Sequence, residues 1–316
     1  MKKNKQLFLT VLKAIFLGCV CFQSGFAQPQ ASQGKLDIRE NFPSKFIQAR
    51  GVAVWLPEGY DKNQKYPVLY MHDGQMLFDS TYTWNKQEWG VDEVASKLIA
   101  DKKTLPFIVV GIYNISERRH SEYFPQKPFE SLAKPYRDSL VQQARRNPNT
   151  ALFATEVQSD KYLRFLVEEL KPFIDQNYAT RKDRANTFIA GSSMGGLISM
   201  YAICEYPDVF GGAACLSTHW VGTFTVQNNP IPDAFLNYLQ AHLPSPKTHK
   251  IYFDFGTETL DALYEPFQQK ADVIMQKMGY TDSSWKTIKF TGEDHSEKAW
   301  KKRLHIPLIF LLGSEK

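Results

Sequence analysis

The residues with the clearest chemical potential are a serine, a histidine and two acids in the second half of the chain. Ser193 stands at the centre of Gly191-Ser192-Ser193-Met194-Gly195, which fits the pattern G-x-S-x-G. A short apolar run, Thr187 to Ala190, enters the motif and a helix-forming run leaves it. A sharp strand-to-helix turn of this kind holds a serine oxygen clear of the backbone. It also puts the next amide, that of Met194, at a helix N-terminus, where an oxyanion is stabilised. Glycines at both ends admit the turn because a Cβ there would clash. The bare three-letter pattern arises by chance in roughly one chain in ten of this length. A base and an acid in the right order must therefore strengthen the case.

A serine is a weak nucleophile until a base takes its proton, and a histidine oriented by a carboxylate serves best. On a parallel sheet the order is serine, acid, histidine. His295 follows the β-rich run Trp285 to Phe290 directly, in Gly292-Glu293-Asp294-His295-Ser296. His72 precedes the serine, and only Glu205 and Asp208, at the end of the helix after Ser193, lie between the serine and His219. His295 is therefore the candidate base. The run Ile251 to Phe255 leads into Gly256-Thr257-Glu258-Thr259-Leu260-Asp261. Asp261 is the first choice of acid and Glu258 the alternative; Asp254 lies too early, within the strand. A second oxyanion donor belongs in the loop after Tyr66 to Met71, where the chain reads His72-Asp73-Gly74-Gln75-Met76. Gln75 is the choice and Met76 the alternative. His72 is a candidate substrate contact, although His72 and Asp73 could equally hold the loop by hydrogen bonds. The pair has no third ligand at metal spacing.

The elements that must position these groups are legible in outline. Lys35 to Glu40 and Gln48 to Leu56 read as strands, Tyr66 to Met71 and Leu105 to Val110 as strands buried on both faces. Val91 to Ala100 and Asp160 to Asp175 have helical periodicity. After the elbow come a strand, Gly211 to Leu216, a helix, Ile231 to Ala241, and a strand, Ile251 to Phe255. A helix, Tyr264 to Met278, the strand Trp285 to Phe290 and a last helix, Ser296 to Leu312 with a kink at Pro307, complete the chain. Alternation of this kind predicts a doubly wound, mostly parallel α/β sheet with helices on both faces and its ligand site at the strands' carboxyl ends. One stretch breaks the rhythm: Tyr113 to Gln158, rich in aromatics and carrying Arg118, Arg119, Arg145 and Arg146. It reads as a cap-like insertion over the site. Arg118, Tyr123 and Trp220 are candidate substrate contacts; Trp84 and Trp89 are further aromatic candidates.

The first residues are set apart from the fold. Lys2, Lys3 and Lys5 precede an apolar stretch, Leu7 to Phe22, and Gly25-Phe26-Ala27 fits a small-x-small cleavage signal. Residues 1–27 are thus expected to be a signal peptide, and 28–316 a single domain in the periplasm or outside the cell. The net charge of +5 falls to +1 once the four lysines of that segment are set aside. Neither nucleic-acid binding nor a membrane span after cleavage is called for. Cys204 and Cys215 remain, and read as buried thiols rather than a disulfide or metal ligands.

The set Met71-His72-Asp73-Gly74-Gln75 with Leu77-Phe78-Asp79, Gly191-Ser192-Ser193-Met194-Gly195-Gly196 and Gly292-Glu293-Asp294-His295 resembles the esterase family of α/β-hydrolases. That family includes feruloyl and acetyl-xylan esterases, siderophore trilactone esterases, S-formylglutathione hydrolase and the antigen 85 mycolyltransferases. The resemblance covers residue 36 to the end. It implies Ser193 as nucleophile, His295 as base and the Gln75 and Met194 amides as oxyanion hole, with no cofactor or metal. It leaves Asp261 against Glu258 open. The expected activity is hydrolysis of a small-molecule or polysaccharide ester, first an acetyl or feruloyl ester on carbohydrate. A catecholate siderophore ester is the alternative. An acyltransferase and a non-catalytic binding module are readings of other classes.

Overall fold

Strand Arg50–Leu56 shows how the sheet is made. Val52, Val54 and Leu56 enter one apolar cluster, while Ala53 and Trp55 enter another on the opposite face. Side chains alternate across a strand, so a run apolar at every position is buried on both faces. The computed structural model describes residues 28–313; the expected signal peptide lies outside the described residues.

The strands are β1 (Lys35–Phe42), β2 (Arg50–Leu56), β3 (Val68–His72), β4 (Ile108–Ile112), β5 (Arg145–Asn147), β6 (Thr150–Ala151), β7 (Thr187–Ser192), β8 (Gly212–Leu216), β9 (Lys250–Gly256) and β10 (Trp285–Phe290). Eight form one sheet in the order β1-β2-β4-β3-β7-β8-β9-β10, while β5 and β6 pair separately as a hairpin. β1, β2 and β4 pair antiparallel, and every pairing from β4 to β10 is parallel. This is the mostly parallel α/β-hydrolase sheet that the alternation predicts. From β3 the chain turns first to β4 on one side, and later returns through β7 on the other. The carboxyl ends of β3 and β7 therefore flank a switch point, where a crevice opens.

Most predicted elements fall within a few residues of the observed ones, and Val91–Ala100 and Trp285–Phe290 coincide with them. Two helices differ in an informative way. The helix predicted from Asp160 runs from Ser159 to Asn177 but widens to a π-turn at Phe165–Leu170. Pro172 follows at once; it has no N–H to donate to the preceding turn, and widened turns are a common way to absorb that defect. The last helix breaks at Leu304, between Glu297–Arg303 and His305–Leu312. Pro307 lies one turn later, and its ring crowds the carbonyl four residues before it. Cys204 and Cys215 are free and buried.

The insertion is folded into short helices, Arg119–Tyr123, Gln126–Ser131 and Lys134–Gln143, followed by the β5–β6 hairpin. Its aromatics pack inward. The Phe124 ring lies 5.1 Å from Phe235 and 5.4 Å from Phe153.

Candidate active site

β7 delivers Ser193 at its carboxyl end, and the helix Met194–Glu205 leaves from it. Ser193 has φ 57° and ψ −121°, a conformation that non-glycine residues rarely adopt. Such strain costs on the order of 1–3 kcal/mol and persists only where the surroundings enforce it. Here the Ser193 amide donates to the Leu216 carbonyl at 2.9 Å, and the Ser193 carbonyl accepts from the Leu197 and His219 amides. Two glycines are required by contact: a Cβ on Gly191 would lie 2.7 Å from the Gly195 carbonyl carbon, and one on Gly196 2.9 Å from the Leu216 oxygen, whereas the clash expected at Gly195 is absent, its nearest neighbours lying at 3.4 Å. The Met194 amide is at the start of the helix, where N–H groups lack intrahelical partners.

The loop after β3 makes the neighbouring wall. Asp73 takes a left-handed conformation, φ 58°, and the chain winds into a tight turn over Gly74–Met76. A Cβ on Gly74 would lie 2.4 Å from the Gly111 carbonyl carbon, so only glycine fits. The Met76 amide donates to the Asp73 carbonyl at 2.8 Å. That commitment leaves the Gln75 amide as the better donor of the two. Gln75 is oriented by its own side chain, whose Oε1 accepts from the Asn114 amide at 3.1 Å.

On the other side the acid and the histidine meet. Asp261 is fully buried, and its Oδ1 lies 2.5 Å from His295 Nδ1. Its Oδ2 accepts from the Ser217 hydroxyl and the Gly256 amide, each at 2.6 Å. Glu258 is exposed and touches Thr257 rather than His295. Asp254 is buried in β9 and paired with Arg303. Two loops are stapled together here, because the Glu293 carbonyl accepts from the amides of both Thr257 and Glu258. The Trp300 ring meets His295 edge-on at 5.0 Å.

Among the described residues no hydrogen bond joins the Ser193 hydroxyl to the His295 ring. The serine side chain is a neighbour of the Tyr264 phenol, which in turn lies 2.7 Å from His219 Nδ1. Burial, with His295 and Arg119 nearby, pushes His219 down to about 3, so it is neutral at ordinary pH. Catalytic hydrogen bonds in empty sites are often unformed and tighten around substrate.

The four expected substrate contacts fare differently. Trp220 and Tyr123 are each 0 % exposed. Trp220 donates to Gln268 Oε1 at 2.9 Å, and the Tyr123 phenol faces the Asp73 amide. Both are packing residues, because no surface of either is open to a ligand. His72 is also buried, with Nδ1 2.7 Å from the Tyr162 phenol, and burial pushes it down to about 3. Arg118 is half-buried at the start of its short helix. The arginine that reaches the site is its neighbour. Arg119 Nε and Nη2 bind the two Asp73 oxygens at 2.8 and 2.7 Å, and Asn114 adds a third bond to Asp73 at 2.7 Å. That guanidinium lowers the Asp73 carboxyl against the opposing pull of burial. Spacing gave no means of separating Arg119 from the other arginines of the insertion. The one clue was an acid, Asp73, on a buried loop that would need a counter-charge.

A strained serine elbow at a switch point, beside a buried aspartate paired with a half-buried histidine, defines a protein of the α/β-hydrolase fold. Residues 44–311 match the model of the family described as "Putative esterase", and the chain belongs to that family. The chain is 30% identical over 173 residues to an endo-1,4-beta-xylanase/feruloyl esterase of Xylanibacter ruminicola, covering 52% of this chain and 19% of that protein. It is 26% identical over 170 residues to the ferri-bacillibactin esterase of Bacillus subtilis, covering 51% of each chain. It thus spans about a fifth and about half of the length of these two relatives. Among solved structures, a ferulic acid esterase superposes with a TM-score of 0.60 at 18% identity, over 89% of this chain and 98% of that one.

Proposed function

We propose that the chain is an exported serine esterase that cleaves a carboxylic ester through Ser193, His295 and Asp261. The observation that supports this most directly is the buried Asp261 carboxylate 2.5 Å from His295 Nδ1, on loops beside the strained Ser193 elbow. Held by Asp261, the imidazole keeps its proton on Nδ1 and offers Nε2 as the base. When substrate enters, His295 Nε2 takes the Ser193 hydroxyl proton as the oxygen attacks the ester carbonyl. The Gln75 and Met194 amides receive the oxyanion, an arrangement typically worth 10²- to 10³-fold per donor. His295 then protonates the leaving alcohol. Water, deprotonated by the same histidine, releases the acid from Ser193. No step calls for a group that these side chains and amides do not supply.

The substrate class we favour is a carbohydrate-linked acetyl or feruloyl ester. The xylanase/feruloyl esterase relative, at 30% identity, supports it. The ferri-bacillibactin esterase relative, at 26% identity, supports a siderophore ester as the second reading. Export rests on the lysine-rich, apolar opening of the sequence. The experiment uses the mature protein and its Ser193→Ala variant on p-nitrophenyl acetate, methyl ferulate, acetylated xylan and a catecholate trilactone. Serine-dependent turnover of a plant-wall ester supports the first reading, and preference for the trilactone supports the second. Equal rates for the two proteins on every ester would remove the esterase reading and bring forward an acyltransferase or a binding module.

A further inference from the structure

Behind the Asp261–His295 pair lies a buried polar cluster that the proposed reaction does not use. Its centre is Ser217, just past the end of β8, with no exposed surface and φ 42°. The Ser217 hydroxyl donates to Asp261 Oδ2 at 2.6 Å and accepts twice, from Trp300 Nε1 and Arg303 Nη2, each at 2.9 Å. A hydroxyl has one proton and two lone pairs, so its capacity is filled. With both lone pairs taken by fixed donors, the proton can point only at the carboxylate.

The donors are themselves anchored. Trp300 stacks on Trp89 at 5.3 Å and sets its ring edge against His295. Arg303 is 2% exposed and grips Asp254 with Nε at 3.2 Å and Nη2 at 3.0 Å. Its guanidinium lies over the Phe290 ring, and Nη2 is 3.9 Å from Asp261 Oδ2. Asp254 also accepts from Tyr252 and from the Ser217 amide. The charged and titratable groups around Asp261 are thus Arg303, Asp254, Tyr264, His219 and His295 itself.

We propose that Ser217 is the positioning residue of the acid: held by Trp300 and Arg303, it fixes the Asp261 carboxylate with Oδ2 occupied and Oδ1 presented to His295. It touches neither substrate nor the reacting atoms. The positive charge of Arg303, brought within reach by the same contact, draws electron density from Oδ2. Both contacts hold the carboxylate in one orientation, with Oδ1 facing His295 Nδ1 and Nε2 left free toward Ser193. The left-handed backbone at Ser217 suits this role, since it turns the hydroxyl back toward the loop after β9.

The inference rests on the Ser193–His295–Asp261 reading, and the experiment separates the two. Ser193→Ala, Asp261→Asn and Ser217→Ala are compared with wild type on p-nitrophenyl acetate across the acid limb of the pH profile. For Ser217→Ala, kcat is expected to fall between about tenfold and about a hundredfold, the scale of a misplaced catalytic group. KM should stay within about twofold. Without its hydrogen-bond donor the carboxylate becomes more basic and the Asp–His pair holds its added proton more tightly. The acid limb should therefore move to higher pH by about half a unit or more. An unshifted acid limb, with or without a lower kcat, overturns the proposal while leaving the triad intact, provided that Ser193→Ala and Asp261→Asn are inactive. Full activity in either of those two removes the catalytic reading, and this proposal with it. If Ser217→Ala does not fold, Ser217→Cys, which keeps a weaker donor, is judged on the same two readouts. A fall in kcat with a shifted limb supports the role, and a wild-type limb overturns it.

Discussion

On one side of Ser193 the acid and the base are held by loops from adjacent strands. On the other, the oxyanion loop is held by a residue from a remote insertion. The acid side draws on β8, β9 and β10, neighbours in the sheet, and its bonds run from Asp261 to His295, Ser217 and Gly256. The oxyanion side depends on Asp73, which is neutralised by Arg119 from the insertion after β4. Parallel strands place their carboxyl ends together by topology, so the first arrangement follows from the sheet. The second does not. It needs a separately folded excursion to deliver one guanidinium, and it should respond differently to damage.

The largest expected effect is on the acid side. Asp261→Asn should lower kcat by about 10⁴-fold, because an amide stabilises the wrong imidazole tautomer, whereas exposed Glu258→Gln should leave it within about twofold. Comparable losses in the two variants would break the assignment of the acid. On the oxyanion side, Arg119→Met should lower kcat by about 10²-fold as the Gln75 amide shifts. It should also destabilise the fold by about 3 kcal/mol, because it leaves the Asp73 carboxylate buried without its partner. Chemical denaturation of that variant tests the second figure; an unchanged midpoint would mean that the insertion does not brace the loop.

Acid should weaken both sides by the same mechanism. His72 on the oxyanion side and His219 beside Ser193 are each pushed down to about 3 by burial. Each binds a proton in the unfolded chain near pH 6.5 but not in the folded one until about pH 3. Their contribution to stability is complete above the unfolded value and is lost as pH falls through that window. The Asp73 carboxyl, lowered by Arg119, adds a loss below its ordinary value. Melting temperatures recorded from neutral to acid pH should decline through this range, and more gently in His219→Gln; a flat profile would contradict the buried neutral histidines. The smallest effect concerns Arg118, whose replacement by alanine should change kcat/KM by no more than about twofold.

What could be read in the sequence follows the same division. The strands and most helices showed in their periodicity, and Ser193 and His295 in motifs tied to strand ends. Asp261 was legible only as one of two acids on a single loop; burial separates it from Glu258, and burial has no local signature there. The roles of Arg119, Ser217, Tyr264 and Arg303 were not legible because each acts on a residue far away in sequence, and spacing says nothing of such contacts. Tyr123 and Trp220 were misplaced for the opposite reason. Aromatic rings suit a ligand and a core equally, and composition cannot tell which face of the chain they occupy.

One oxygen atom also governs how this site can change. The Glu293 carbonyl, by accepting from both the Thr257 and Glu258 amides, ties the loop of Asp261 to the loop of His295 just ahead of those two side chains. The same loops are tied twice more, by the Gly292 amide to Thr257 Oγ1 and by the His295 amide to Thr259 Oγ1, so both side chains stand on one braced piece of backbone. An insertion in either loop would have to preserve these ties to keep Asp261 facing His295.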